Sequence, residues 1–152
     1  MAKPIYIVTD SRNVNLCVAN APSVAFGEVA DMLYPNKSEK EIKKAKLAAE
    51  FSDGTMRHIG AKEFGSIVSA TKRHARVKLW STEEASELSD ARAKLAKAEA
   101  AVALLGLPPE IAELSISPIR ERIEELENTD EDSDVHHYFI EAIVPTTRAY
   151  RS

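Results

Sequence analysis

The sequence predicts an α+β fold: a small, mostly antiparallel sheet with covering helices and an α-helical hairpin inserted before the last strand. Three observations carry this. β-branched and aromatic runs of strand length stand near both ends of the chain, at Ile5-Tyr6-Ile7-Val8 and Tyr138-Phe139-Ile140. Two Ser-x-x-Glu capping boxes, Ser38 with Glu41 and Ser81 with Glu84, announce helices. Between them and the last strand, Leu88, Ala91, Leu95, Ala98, Val102 and Leu105 recur in steps of three and four, a heptad-like seam with small alanines at alternate positions.

Taken in order, Pro4 to Thr9 reads as a strand, Asp10-Ser11-Arg12-Asn13 as a turn, and Val14 to Ala19 as the returning strand of a hairpin. Asn20-Ala21-Pro22-Ser23 then opens a helix with Phe26, Val29, Ala30 and Leu33 on one stripe, stopped at Pro35-Asn36. The Ser38 capping box opens a Lys-rich helix whose thin apolar stripe runs through Ile42, Ala45 and Ala49 towards Phe51. Ser52-Asp53-Gly54 breaks it. Thr55 to Ile59 is a short strand, and Gly60 to Glu63 begins a helix with Phe64, Ile67 and Val68 turned inward. Ala75 to Trp80 alternates most cleanly, with Val77 and Leu79 on one face and Arg76, Lys78 and Trp80 on the other.

From Ser81 the long seamed helix runs to Gly106, where a glycine suits the left-handed position past a helix end. Pro108-Pro109 marks a turn, and Ser117-Pro118 reads as the cap and first residue of a second helix bearing Ile119, Ile123 and Leu126. The seam predicts packing of the two helices on each other or on the sheet, with a short homodimeric coiled coil as the alternative. The expected organisation is an α+β core over 1–80, a helical hairpin with an acidic end over 81–134, and a final strand and tail over 135–152 completing a single domain. No internal repeat is legible.

At 152 residues and 44% hydrophobic, the chain can bury a core of its own. No apolar run reaches membrane-spanning length and the first residues lack a signal-peptide pattern, so a cytoplasmic protein with no membrane association is expected. The single Cys17 excludes an internal disulfide framework and fits a reducing compartment. The net charge of −4 is unevenly distributed. Lys37 to Lys78 holds eleven Lys and Arg against five acids, whereas Glu121 to Asp134 holds eight acids against Arg122 alone. Such poles steer charged partners.

Catalytic patterns are not found. The five glycines match no phosphate-binding loop, and neither a nucleophile elbow nor a His-Glu-x-x-His zinc motif occurs. His136 and His137 alternate faces if extended, so they do not share a metal, and Cys17 in a strand reads as a packed thiol. Asp10 reads as turn chemistry. The expectation is a non-enzymatic protein without cofactor or metal.

Two surfaces are candidates for binding. Glu121, Glu124, Glu125, Glu127, Asp130, Glu131, Asp132 and Asp134 would present carboxylates to a basic groove on a partner. Lys43, Lys44 and Lys46 on one helix, with Lys72, Arg73, Arg76, Lys78 and Trp80 around the best strand, interleave base and aromatic as a nucleic-acid surface does.

The opening from Ile5-Tyr6-Ile7-Val8-Thr9-Asp10 through Ala25 to Ala30, with a following strand–helix–strand at Met56 to Leu79, resembles small accessory proteins of phages and prophages, including anti-CRISPR inhibitors of bacterial immunity. The resemblance implies a protein that works by binding in the host cytoplasm, blocking a host defence protein or a ribonucleoprotein complex. It assigns no residue a role. The alternative expectation is a nucleic-acid-binding accessory protein using the basic clusters.

Overall fold

A computed structural model describes residues 4–51, 54–70, 75–127 and 135–143. Along the chain run β1 (Ile5–Asp10), β2 (Asn15–Ala19), α1 (Pro22–Leu33), α2 (Glu39–Lys44), β3 (Leu47–Glu50), β4 (Met56–Ile59), α3 (Ala61–Ala70), β5 (Ala75–Trp80), α4 (Thr82–Leu105), α5 (Pro109–Glu127) and β6 (His137–Ile143). The chain divides into two compact units, one of residues 1–82 with 134–152 and the other of residues 83–133. The fold is α+β, and the helical pair is inserted before the last strand.

The first unit is a six-stranded antiparallel sheet in the order β2-β1-β6-β5-β3-β4. Its halves have like topology, β2-β1-β6 and β4-β3-β5, each beginning with a hairpin that leads into a helix. The two turns share their hydrogen bonding. Asn13 N–H donates to Asp10 C=O (3.0 Å) and Asp10 N–H to Val14 C=O (3.1 Å); Gly54 N–H donates to Phe51 C=O and Phe51 N–H to Thr55 C=O, both at 2.9 Å. Asn13 (φ 63°) and Gly54 (φ 86°) occupy the same left-handed position, which Asn and Gly tolerate best. The likeness is faint in the residues: α1 and α3 share Phe-Gly-x-Val/Ile, at Phe26-Gly27-Glu28-Val29 and Phe64-Gly65-Ser66-Ile67, while the hairpins have few side chains in common.

α1 and α3 cover one face of the sheet. Phe26 and Phe64, both buried, meet with ring centroids 5.5 Å apart over Tyr6, Val8, Leu47, Val77, Leu79 and Ile140. Alternation therefore places Val77 and Leu79 inward as expected. The other face carries Ile5, Ile7, Thr9, His137, Phe139, Glu141, Arg76, Lys78, Trp80, Ala48 and Glu50, by the same period of two.

Three expectations are corrected. The Lys-rich helix stops at Lys44, where Ala45 turns extended (ψ 144°), and Leu47–Glu50 is a strand. Leu47, Ala48 and Ala49 are good helix formers, but paired between β4 and β5 they are buried on both faces, and that burial overrides intrinsic preference. The Ser38 cap is made as read, its hydroxyl accepting from Glu41 N–H at 3.3 Å and donating to the Glu41 carboxylate at 3.0 Å. The second long helix begins at Pro109, with Pro118 inside it. The Ser117-Pro118 signal is a proline tolerated mid-helix, which removes one backbone donor without ending the helix.

Phe64→Ala should cost about 3–5 kcal/mol, the range for emptying a fully buried aromatic site. Urea unfolding followed by circular dichroism measures this; a loss below about 1 kcal/mol would mean that the Phe26–Phe64 pair is not the centre of the core.

Candidate functional site

The second unit is built on α4 and α5. α4 ends at a left-handed Gly106 (φ 59°), and Leu107 N–H returns to Val102 C=O at 3.3 Å, closing the helix end. Pro108 C=O then accepts from Ile111 and Ala112 N–H, at 3.1 and 3.0 Å, to start α5. Ala85, Leu88 and Ala91 of α4 and Ile116, Ile123 and Leu126 of α5 are buried. Towards the turn the burial ends. The expected seam runs to Leu105, but Leu105 is 68% exposed, with Leu104 at 86%, Ile111 at 49% and Leu114 at 79%.

Arginines lace α4 to α5. The Arg122 guanidinium forks onto Glu87 at 2.6 and 2.8 Å and reaches Glu125 at 2.9 Å; these hydrogen bonds raise its pKa further. Arg92 pairs with Glu127, and Arg120 reaches Glu99 (3.9 Å) and Glu113 (3.7 Å). Surface pairs of this kind contribute roughly 0–1 kcal/mol each, so they stabilise the helical pair little.

Of the acidic residues expected to bind, Glu121 and Glu124 are exposed, whereas Glu125 and Glu127 hold Arg122 and Arg92. Asp130, Glu131, Asp132 and Asp134 lie outside the described residues. The sequence reading missed Glu110, Glu113 and Leu114, because it began the helix at Ser117. With Ser117, Pro118 and Glu121 they line a shallow depression of about 340 Å³. The signal that locates them is Pro108-Pro109 read as a helix start with Glu110 in its first turn.

No protein-family model matches the chain, and neither the curated proteins nor the solved structures contain a significant match.

The basic clusters are open in part. Lys43, Lys44 and Lys46 are exposed, the first two in the last turn of α2. Lys72 and Arg73 lie outside the described residues. Arg76 is exposed, lies 3.9 Å above the Phe139 ring and donates to Asn13 Oδ1 at 2.7 Å. Lys78 sits 3.9 Å from Glu50 and 4.8 Å from the Trp80 ring. Trp80 is on the face expected but fully buried, against the expectation of an exposed stacking platform. Its Nε1–H donates to Glu50 Oε1 at 3.1 Å, and its ring lies 4.5 Å from that of the equally buried His137. Alternation assigned the face; it carries no information on what covers that face.

Asp10 is buried and accepts from Arg12 N–H (2.8 Å), Val14 N–H (3.0 Å) and the Arg12 guanidinium (3.3 Å), the turn role expected of it. His58 is exposed and His136 half-buried. Among the described residues no three His, Cys, Asp or Glu side chains are placed to share a metal. Cys17 is half-buried, and burial first, then the nearby Glu28 carboxylate, pushes its thiol pKa up.

Alkylation of Cys17 by iodoacetamide should therefore be slower than that of the unfolded chain near pH 8.5, where the folded thiol holds its proton more tightly. Glu28→Gln should speed it while leaving it slower than the unfolded rate, since burial is the larger cause. An equal rate in folded and unfolded protein would contradict this.

Proposed function

We propose that the protein is a non-enzymatic binding protein whose helical arm docks on a basic surface of another macromolecule and blocks it. The single observation behind this reading is the arrangement around Leu114, a leucine 79% exposed in a depression edged by Glu110, Glu113 and Glu121. Leu104, Leu105 and Ile111 add exposed apolar surface at the same end of the helical pair. Exposed large side chains forgo roughly 1.5–3 kcal/mol each that burial would return, and clustered exposure of this kind marks interaction surfaces. An apolar centre with a charged rim is the anatomy of a protein interface. The carboxylates select for a basic counterpart and accelerate encounter with it.

Surfaces that hold nucleic acid are basic, so an acidic arm occupying one competes with the nucleic acid. That chemistry fits the inhibitor role implied by the resemblance to phage accessory proteins, with a host defence protein or ribonucleoprotein complex as the target.

Affinity capture from bacterial lysate, with and without nuclease, followed by measurement on the purified pair tests the reading. The expected result is a nuclease-resistant protein or ribonucleoprotein partner whose affinity falls at least tenfold, about 1.4 kcal/mol, with Leu114→Asp. Thermal stability should change little, because the side chain is solvent-facing. Glu110→Lys with Glu121→Lys should chiefly slow association. Binding indifferent to Leu114→Asp and abolished by nuclease would overturn this function and favour nucleic-acid contact through Lys43, Lys44 and Lys46.

A further inference from the structure

We propose that β2 is a homodimerisation edge, pairing antiparallel with β2 of a second copy of the chain across a twofold axis. This surface lies in the sheet and is independent of the helical arm.

β2 is a terminal strand of the sheet, bonded on one side to β1. Its outer backbone donors and acceptors form a template for another strand. Val14 is 51% exposed, Leu16 42% and Val18 64%, and Ile5 beside them on β1 is 37% exposed. From Asn13 to Ala21 there is no charged residue, proline or glycine. The register shift of the hairpin falls between Val8 and Thr9, towards the turn, and leaves Cys17 to Ala19 regularly paired.

The other end of the sheet supplies an internal comparison. β4 is the topological counterpart of β2, yet its outer strand carries Arg57, exposed and 4.0 Å from Glu63, and the exposed His58. Charge on an edge strand is the usual protection against edge pairing. One of the two edges is thus charged, and the other is neutral, with its irregularity confined to the turn end.

The missing charge also selects the occupant. Antiparallel pairing with its own copy brings two edges of the same composition together, so a basic edge meets its own cations whereas a neutral apolar edge meets no like charge. A twofold axis perpendicular to the sheet keeps Leu16 and Val18 of both copies on one face, where they form a continuous apolar row with Ile5 and Ile7. The regular stretch is short, so the dimer is a reversible one.

Sedimentation equilibrium over a wide concentration range tests this. The expected mass rises with concentration from 16.7 kDa towards twice that value. Leu16→Lys with Val18→Lys should remain at the mass of one chain, and Leu114→Asp should behave as wild type, which separates this edge from the arm. Hydrogen exchange of the unaltered protein gives a readout that needs no variant. Amides of 15–19 should exchange more slowly at high than at low concentration, and those of 56–59 at one rate. A monomer at every concentration, a dimer that survives both lysines, or β2 exchange independent of concentration would each overturn the proposal.

Discussion

The pairing of β5 with β6 is the constraint on which the first unit depends. Six residue pairs, from Ala75 opposite Ala142 to Trp80 opposite His137, join two three-stranded halves into one sheet. β6 in turn pairs with β1, from Ile5 opposite Ile143 to Asp10 opposite Tyr138, and so ties the first hairpin to the second half. On one face this seam buries Val77, Leu79 and Ile140 under α1 and α3. On the other, Trp80, His137 and Phe139 form a run of ring contacts at 4.5 and 5.4 Å, with Arg76 over the last ring. Of the residues that resemble a binding platform in the sequence, Trp80 is buried, Arg76 lies over the Phe139 ring of the neighbouring strand, and Lys78 lies over the Trp80 ring.

The same pairing makes the arm admissible. The chain leaves the sheet after Trp80 and re-enters at His137, its direct partner across the ladder. An insertion whose ends are already adjacent imposes little closure cost on the sheet, because that cost grows only slowly with loop length. The burden falls on assembly: β1 and β6 must meet across nearly the whole chain, a non-local contact of the kind that slows folding. The sheet unit holds its apolar core under α1 and α3, while α4 and α5 leave Leu104, Leu105, Ile111 and Leu114 exposed towards their shared turn.

How much of this the sequence disclosed depended on whether the deciding physics was local. β1, the first hairpin, β5 and α4 were legible because alternation, turn residues and a Gly106 stop are properties of neighbouring residues. β3 was not, because Leu47-Ala48-Ala49 becomes a strand only through burial between two other strands. Pro118 misled for the opposite reason: a strong local signal lost to the continuity of α5, and with it Leu114 and its glutamates were overlooked. Trp80 shows the limit most plainly, since its face was readable and its burial was not. The duplicated hairpins share a left-handed fourth residue, Asn13 in one and Gly54 in the other, and two different residues serving one backbone need conceal the likeness.

The proposed function places the contact with a different macromolecule at the turn end of α4 and α5, and away from the exposed face of α3. Site-specific photocrosslinking tests it most directly, with a photoreactive residue placed singly at position 114, at 104 or, on the exposed face of α3, at 66. Adducts with one discrete partner from 114 and 104, competed away by unlabelled protein and missing from 66, are the result the account requires. Adducts from 66, with none from the arm, would contradict it.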